Sequence, residues 1–173
     1  MAGRTPEQAR SAFITPVQQA LSCVTSAQVF YRPPVIGETE TLRISQEPLR
    51  LLRNGAVPLS LSLRQQFRVV HTDDPDRGPW KVATQAYKYT IEMDGREVAA
   101  WHWHPLGRSR ERRPHLHVPH PPLAGSHVPS GRVSLEGVLR LLLAEREVRP
   151  RRSDWETVLD EAEARFTRWR TWA

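Results

Sequence analysis

The chain has 173 residues, of which 39% are hydrophobic and 25% charged, and its net charge is +6. This length suits one domain with a real core and is short for two, so we predict a single domain over residues 1–173. Cys23 is the only cysteine, which excludes an intramolecular disulfide and a cysteine-rich zinc cluster. The sequence shows neither the run of about 18 apolar residues that a membrane span needs nor a signal-peptide core, so we expect a cytoplasmic protein without a membrane partner.

The positive charge favours a polyanionic partner such as RNA. Only Lys81 and Lys88 are lysines, so nearly all of this charge comes from arginine. A GC-rich coding sequence would produce the same imbalance, and the charge alone does not decide between the two explanations.

The N-terminal part of the chain is predicted to be a possible arm followed by a sheet. The first 22 residues contain a possible helix, but Pro6 and Pro16 divide it and its apolar spacing is irregular, which favours a loosely attached N-terminal arm over residues 1–27. Residues 28–118 form the predicted sheet region, with short strands at 28–31 and 39–44. Leucine and other apolar side chains then fall on alternate positions of residues 59–70, as in a half-buried strand.

A β-hairpin is the clearest local prediction. Residues 82–93 and 96–104 alternate like strands, and Asp94-Gly95 between them is typical of a tight turn. Residues 115–118 are expected to add an edge strand, and residues 119–131 form a proline-rich loop. Two helices follow in residues 134–172, the first capped by Ser134 and the second opened by a capping box at Ser153. The predicted fold is therefore α+β, an antiparallel sheet of three or more strands packed against two C-terminal helices.

Histidines are concentrated in one stretch of the sequence. Six of the seven lie between residues 102 and 127: His102, His104, His115, His117, His120 and His127. His102 and His104 alternate with Trp101 and Trp103, so both imidazoles leave one face of a strand and both indoles leave the other. The same His-x-His spacing recurs after a loop that contains Arg108, Arg110, Arg112 and Arg113, which predicts that up to four imidazoles and four guanidinium groups converge at one end of the sheet.

Three interpretations of this cluster remain open. Imidazoles beside arginines can move protons and steady charge on a phosphodiester, which would make His102, His104, His115 and His117 catalytic and the four arginines substrate-binding. His-x-His on a strand can also present nitrogens to zinc. The cluster can equally be ordinary surface packing. We favour the first interpretation and expect no metal and no other cofactor, because Glu111 is the only carboxylate within the cluster. Tyr87 and Tyr89, on the partner strand, are predicted to lie within reach of the imidazoles.

The order of these motifs resembles the TumE-like family of bacterial toxin–antitoxin operons. The resemblance covers about residues 60–145 and rests on a Tyr-Lys-Tyr strand at 87–89, Trp-His-Pro at 103–105, Pro-His-Leu-His at 114–117 and a helix start at 133–139. An Asp-Asn pair of that family is absent here. The resemblance implies a toxin that acts on RNA and is neutralised by a cognate antitoxin protein, with His104, His115 and His117 as site residues backed by the two tyrosines.

The predicted function is therefore that of a metal-independent ribonuclease-like toxin or a related nucleic-acid-processing protein. The alternative is a non-catalytic binding or assembly module of a multi-gene bacterial system, in which arginines and tryptophans dock on a partner.

Overall fold

The computed structural model describes residues 2–30, 35–55, 57–72, 78–106 and 111–169, and these residues form nine strands and three helices. In chain order the elements are β1 (Ala2–Gly3), α1 (Pro6–Leu21), β2 (Val29–Phe30), β3 (Glu40–Ile44), β4 (Leu49–Leu51), β5 (Leu59–His71), β6 (Trp80–Met93), β7 (Arg96–Trp103), β8 (His115–His117), β9 (His127–Pro129), α2 (Leu135–Glu145) and α3 (Trp155–Trp169). Among the described helices, none combines the length and the apolar character needed to cross a membrane.

The strands form one antiparallel sheet in the order β2-β3-β5-β6-β7-β8-β9, with β4 also on β5 and β1 on β6. The predicted hairpin is confirmed as β6 and β7, and its turn residues Asp94 and Gly95 both have positive φ, 51° and 69°. Asp is one of the few residues besides Gly that adopts this conformation readily. The α+β prediction with an antiparallel sheet and two C-terminal helices is also confirmed.

The sheet has an inner face that belongs to the core and an outer face that points away from it. On β5, Leu59, Leu61 and Leu63 are buried in the core, whereas Ser62 and Arg64, which alternate with them, lie on the outer face. Buried residues of all three helices belong to the same core cluster. The helices therefore cover the inner face, and the outer face remains the surface on which polar side chains can form a site.

The expectation of a loosely attached N-terminal arm is wrong. Residues 6–21 form α1, which begins with a Thr5 side chain that accepts a hydrogen bond from the Gln8 backbone N–H. Phe13, Val17 and Leu21 are buried in the core, and Phe13 packs on a phenylalanine of β5 with ring centroids 4.9 Å apart. A helical stripe was present in the sequence, but small alanines at positions 9 and 20 and a proline within the helix concealed it.

The predicted proline-rich loop contains a further strand. Val128 of β9 pairs with Leu116 of β8, so β8 is not an edge strand within the described part of the sheet. The predicted cap of the first C-terminal helix is confirmed, since the Ser134 hydroxyl accepts a hydrogen bond from the Gly137 N–H at 3.0 Å.

The buried carboxyl of Glu136, in the first turn of α2, gives a pH-dependent prediction. Burial raises its pKa from 4.5 to about 7, an effect that its own backbone N–H opposes and that Glu163 reinforces. The folded protein therefore holds this proton more tightly than the unfolded chain, so its stabilising effect is complete below about pH 4.5 and is lost as the pH rises through 7.

We expect Glu136→Gln to raise the free energy of unfolding at pH 8 by on the order of 2 kcal/mol and to change it little at pH 4.5, because the amide cannot ionise. Urea unfolding at the two pH values measures this difference. Glu145→Gln, at the exposed end of the same helix, is the matched control. Equal effects of Glu136→Gln at both pH values would contradict the prediction.

Trp103 is the aromatic anchor of β7. Its ring is 8% exposed, lies 6.1 Å from the Tyr87 ring and has the Arg132 guanidinium carbon 3.3 Å from its centroid. Trp103→Ala is therefore expected to lower the free energy of unfolding by about 3–5 kcal/mol, measured by chemical denaturation. Leu106→Ala, at a side chain that is 81% exposed, should change it by less than about 0.5 kcal/mol. A Trp103→Ala protein as stable as the Leu106→Ala control would rule out this anchoring role.

Candidate functional site

Five histidines converge on the outer face of the sheet. His102 on β7 pairs with His115 on β8, and His117 pairs with His127 on β9. Directly opposed residues of antiparallel strands point to the same face, and the period of two brings His104 to that face as well. We call this set the histidine face: His102, His104, His115, His117 and His127. The predicted convergence of the two His-x-His pairs is confirmed.

The imidazole rings are in mutual contact. Ring centroids lie 4.3 Å apart for His102 and His117, 4.6 Å for His117 and His127, and 5.2 Å for His104 and His115. His115 is at the centre, because its ring also lies 5.5, 5.0 and 4.8 Å from those of His102, His117 and His127. Its exposed fraction is 0%, so the other imidazoles cover it.

Three ring nitrogens of this face are buried without a hydrogen-bond partner. They are the Nε2 atoms of His102, His115 and His117. The Nδ1 of His115 lies 2.8 Å from the Arg113 backbone oxygen, which can only accept, so Nδ1 carries the proton and Nε2 carries the lone pair. One nitrogen from each of these three residues lies within 4.8 Å of the others, and no other such group of donors occurs among the residues that the structure describes.

Burial and neighbouring positive charge keep these imidazoles neutral. Burial, followed by the charges of His117 and Lys88, lowers the pKa of His102 from 6.5 to about 3. Burial also lowers the pKa of His117 and of His115, and for His115 the bond to the Arg113 carbonyl partly opposes it. At neutral pH, all three residues therefore present unprotonated nitrogens.

The predicted proximity of Tyr87 and Tyr89 to the imidazoles is wrong. Tyr87 pairs with Trp103 and Tyr89 with Trp101, so the tyrosines share the inner face with the indoles. The Tyr87 hydroxyl accepts a hydrogen bond from the Val133 N–H at 3.0 Å, and Tyr89 is buried. Burial raises the pKa of both phenols, and both side chains serve the core.

A bulge in β7 explains this error. A regular hairpin closed by Asp94-Gly95 would pair Tyr87 with His102. The register instead shifts by one residue at Val98, which is skipped between the pairs formed by Glu97 and Ala99. A shift of one residue exchanges the two faces of a strand, so the tryptophans turn inward and the histidines outward.

The predicted substrate-binding arginines are only partly described. Arg108 and Arg110 lie outside the described residues. Arg112 is exposed, whereas Arg113 is held by Glu111 through Nε at 3.1 Å and a terminal nitrogen at 3.0 Å. The hydrogen bonds from Arg113 lower the pKa of Glu111 to about 2, so this pair is a local ion pair with little free positive charge.

Two cations that the sequence analysis missed border the histidine face. Lys88 pairs with His102, and Arg64 pairs with Lys88, so both side chains lie on the outer face in line with the imidazoles. Both are exposed. Lys88 lies between Tyr87 and Tyr89 in the sequence, so the alternation along the strand places it on the other face of the sheet. Its position beside His102 depends on the bulge and could not be read from the sequence. His127 was missed as a site residue because β9 lies in a proline-rich segment.

A shallow groove of about 240 Å³ continues from these cations along the outer face. Arg64 and Lys88 line one part of it, together with Ser62 and Thr90, and the carboxylates Glu47, Glu92 and Glu97 line another. Thr90 pairs with Ala100, which in turn pairs with His117, so the groove adjoins the histidine face.

The comparisons with known proteins identify no relative: no family model, no curated protein and no solved structure matches the chain.

Proposed function

We propose that the histidine face cleaves phosphodiester bonds in RNA, the activity that the resemblance to TumE-like toxins implies. One observation carries the proposal: five imidazoles lie together on the outer face of the sheet, beside two exposed cations. Clustered titratable groups with strongly shifted pKa values are typical of functional sites.

The cations supply a place for the phosphate. Arg64, Lys88 and His102 follow one another across three strands, so a backbone phosphate held by the first two side chains lies next to the imidazoles. Arginine and lysine bind phosphate oxygens through charge-assisted hydrogen bonds and offset the charge that develops on the phosphorus centre.

The proton transfers are assigned to His104 and His127. His115 is one of the catalytic residues expected from the sequence, but it is completely buried and cannot touch a substrate. His104 and His127 both contact the His115 ring and are more accessible. One imidazole takes the proton of the ribose 2′-hydroxyl as its oxygen bonds to phosphorus. The other protonates the 5′-oxygen as its bond to phosphorus breaks.

The proposed biological setting is that of a bacterial cytoplasmic toxin with a cognate antitoxin protein as its partner. The non-catalytic alternative makes the same surface a docking site with no turnover. RNA cleavage by the purified chain distinguishes the two functions directly.

We expect His104→Ala and His127→Ala each to slow the cleavage of a labelled RNA by about 10²–10⁴-fold, because each removes a positioned acid or base. Their thermal transitions should stay close to that of the parent, since neither side chain belongs to the core. The measurement is a gel assay of single-stranded RNA with purified full-length protein.

His120→Ala is the control, because His120 is exposed and lies in the same part of the chain but outside the histidine face. It should cleave at the parental rate. A parent without cleavage, or variants of His104 and His127 that are as active as the His120 control, would leave the binding-module function in place of the enzymatic one.

Lys88→Ala is expected to weaken RNA binding and to reduce the slope of log affinity against log salt by about one, since one phosphate contact is lost. Fluorescence anisotropy at several KCl concentrations measures the slope. Lys81→Ala changes the only other lysine, near the start of the same strand, and should leave the slope unchanged. Equal losses in the two variants would indicate general charge attraction without a phosphate position at Lys88.

A further inference from the structure

Three buried nitrogens of the histidine face lack hydrogen-bond partners, and the proposed proton transfers do not explain why they lie together. Buried polar atoms are nearly always hydrogen-bonded, and one without a partner costs free energy. Here three such atoms, the Nε2 atoms of His102, His115 and His117, occur together on neighbouring strands. The Nε2 of His115 is an acceptor, because its Nδ1 carries the proton, and a cation bound by a lone pair of each neutral imidazole satisfies all three atoms at once.

We propose that the Nε2 atoms of His102, His115 and His117 bind one divalent transition-metal ion of the zinc class. The strand register carries the proposal, because it places the first two residues directly opposite each other and the third two positions along the same face. A nitrogen donor from each lies within 4.8 Å of the other two. In a tetrahedral zinc site with bonds of about 2.0–2.1 Å, the ligand nitrogens are about 3.3 Å apart. Binding of the ion would draw the nitrogens up to about 1.5 Å closer together than they lie in the structure.

The surroundings of His115 match those of a metal ligand. Metal-binding histidines usually donate their other N–H to a carboxylate or a backbone carbonyl, which fixes the ring and its tautomer. His115 does this through Nδ1 and the Arg113 oxygen at 2.8 Å, and its Nε2 is buried without a hydrogen-bond partner. The ring is therefore already held in the orientation and protonation state that coordination needs.

The donor set selects the class of ion. Three imidazoles without a carboxylate suit zinc, copper, iron or nickel and are unsuited to magnesium or calcium, which prefer oxygen ligands. Three protein ligands also leave a fourth position open for water or a substrate oxygen, as in catalytic zinc sites. This proposal differs from the metal-free site expected from the sequence.

The role of the ion in RNA cleavage depends on the proposed function, whereas its binding does not. An ion held beside Lys88 and Arg64 can polarise a phosphoryl oxygen and offset its growing negative charge. His104 and His127 are not in the proposed ligand set and remain available for proton transfer.

The test is calorimetric titration of ZnCl₂ into purified full-length protein that has been treated with a chelator and dialysed. We expect saturation at one ion per chain. His102→Ala and His117→Ala should each weaken binding by more than about 100-fold, since loss of even a second-shell partner typically costs about 10–100-fold. His120→Ala, His104→Ala and His127→Ala should retain one ion per chain. A variant of His115 is avoided, because this side chain is buried and its removal would disturb the fold. Instead, Co²⁺ is bound to the parent protein, and its visible spectrum reports nitrogen ligation in a tetrahedral site.

The absence of saturable binding would overturn the proposal, and so would a His120→Ala variant that loses as much affinity as the variants of His102 and His117. The two proposals fail separately. A protein that binds one zinc ion but cleaves no RNA supports the metal site and removes the proposed function. A chelator-treated protein that cleaves RNA and binds no zinc removes the metal site and supports the function.

Discussion

The structure of the site depends on one irregular pairing between β6 and β7. Because side chains alternate along a strand, the extra residue at Val98 decides which of two sets points to solvent: the tryptophans or the histidines. The bulge sends the indoles into the core with Tyr87 and Tyr89 and sends the imidazoles to the opposite face. The alignment of Lys88 with His102 and the pairing of β8 and β9 with β7 extend this choice across the sheet.

The sequence predicted the parts of the site that depend on a single strand and missed those that depend on how strands are paired. The alternation of Trp101 to His104 correctly separated the two faces, because that separation is a local property. The partner of His102 was not predictable, since the two-residue turn at 94–95 implied a register that the bulge alters by one residue. Tyr87 was therefore placed on the wrong face and Lys88 was overlooked.

The same distinction between local signals and long-range pairing applies to the fold. The hairpin and both C-terminal helices have strong local signals, namely the Asp-Gly turn and the Ser134 cap, and were predicted. The helix α1 was considered only as a possible helix within a loose arm, because its buried stripe includes alanines and a proline, which are weak signals of burial, and its partners lie far away in the sequence. The strand β9 was hidden in a proline-rich segment for a comparable reason: it is three residues long and is stabilised by pairing with β8.

The strands β8 and β9, which hold part of the histidine face, are short. Each has three residues at the end of the sheet, whereas β5 and β6 in the middle have 13 and 14. Short strands with few neighbours open locally at a lower free energy than the global unfolding of a domain. Separation of these strands from β7 would take His115, His117 and His127 away from His102. Ligands that bridge the strands would therefore stabilise their pairing.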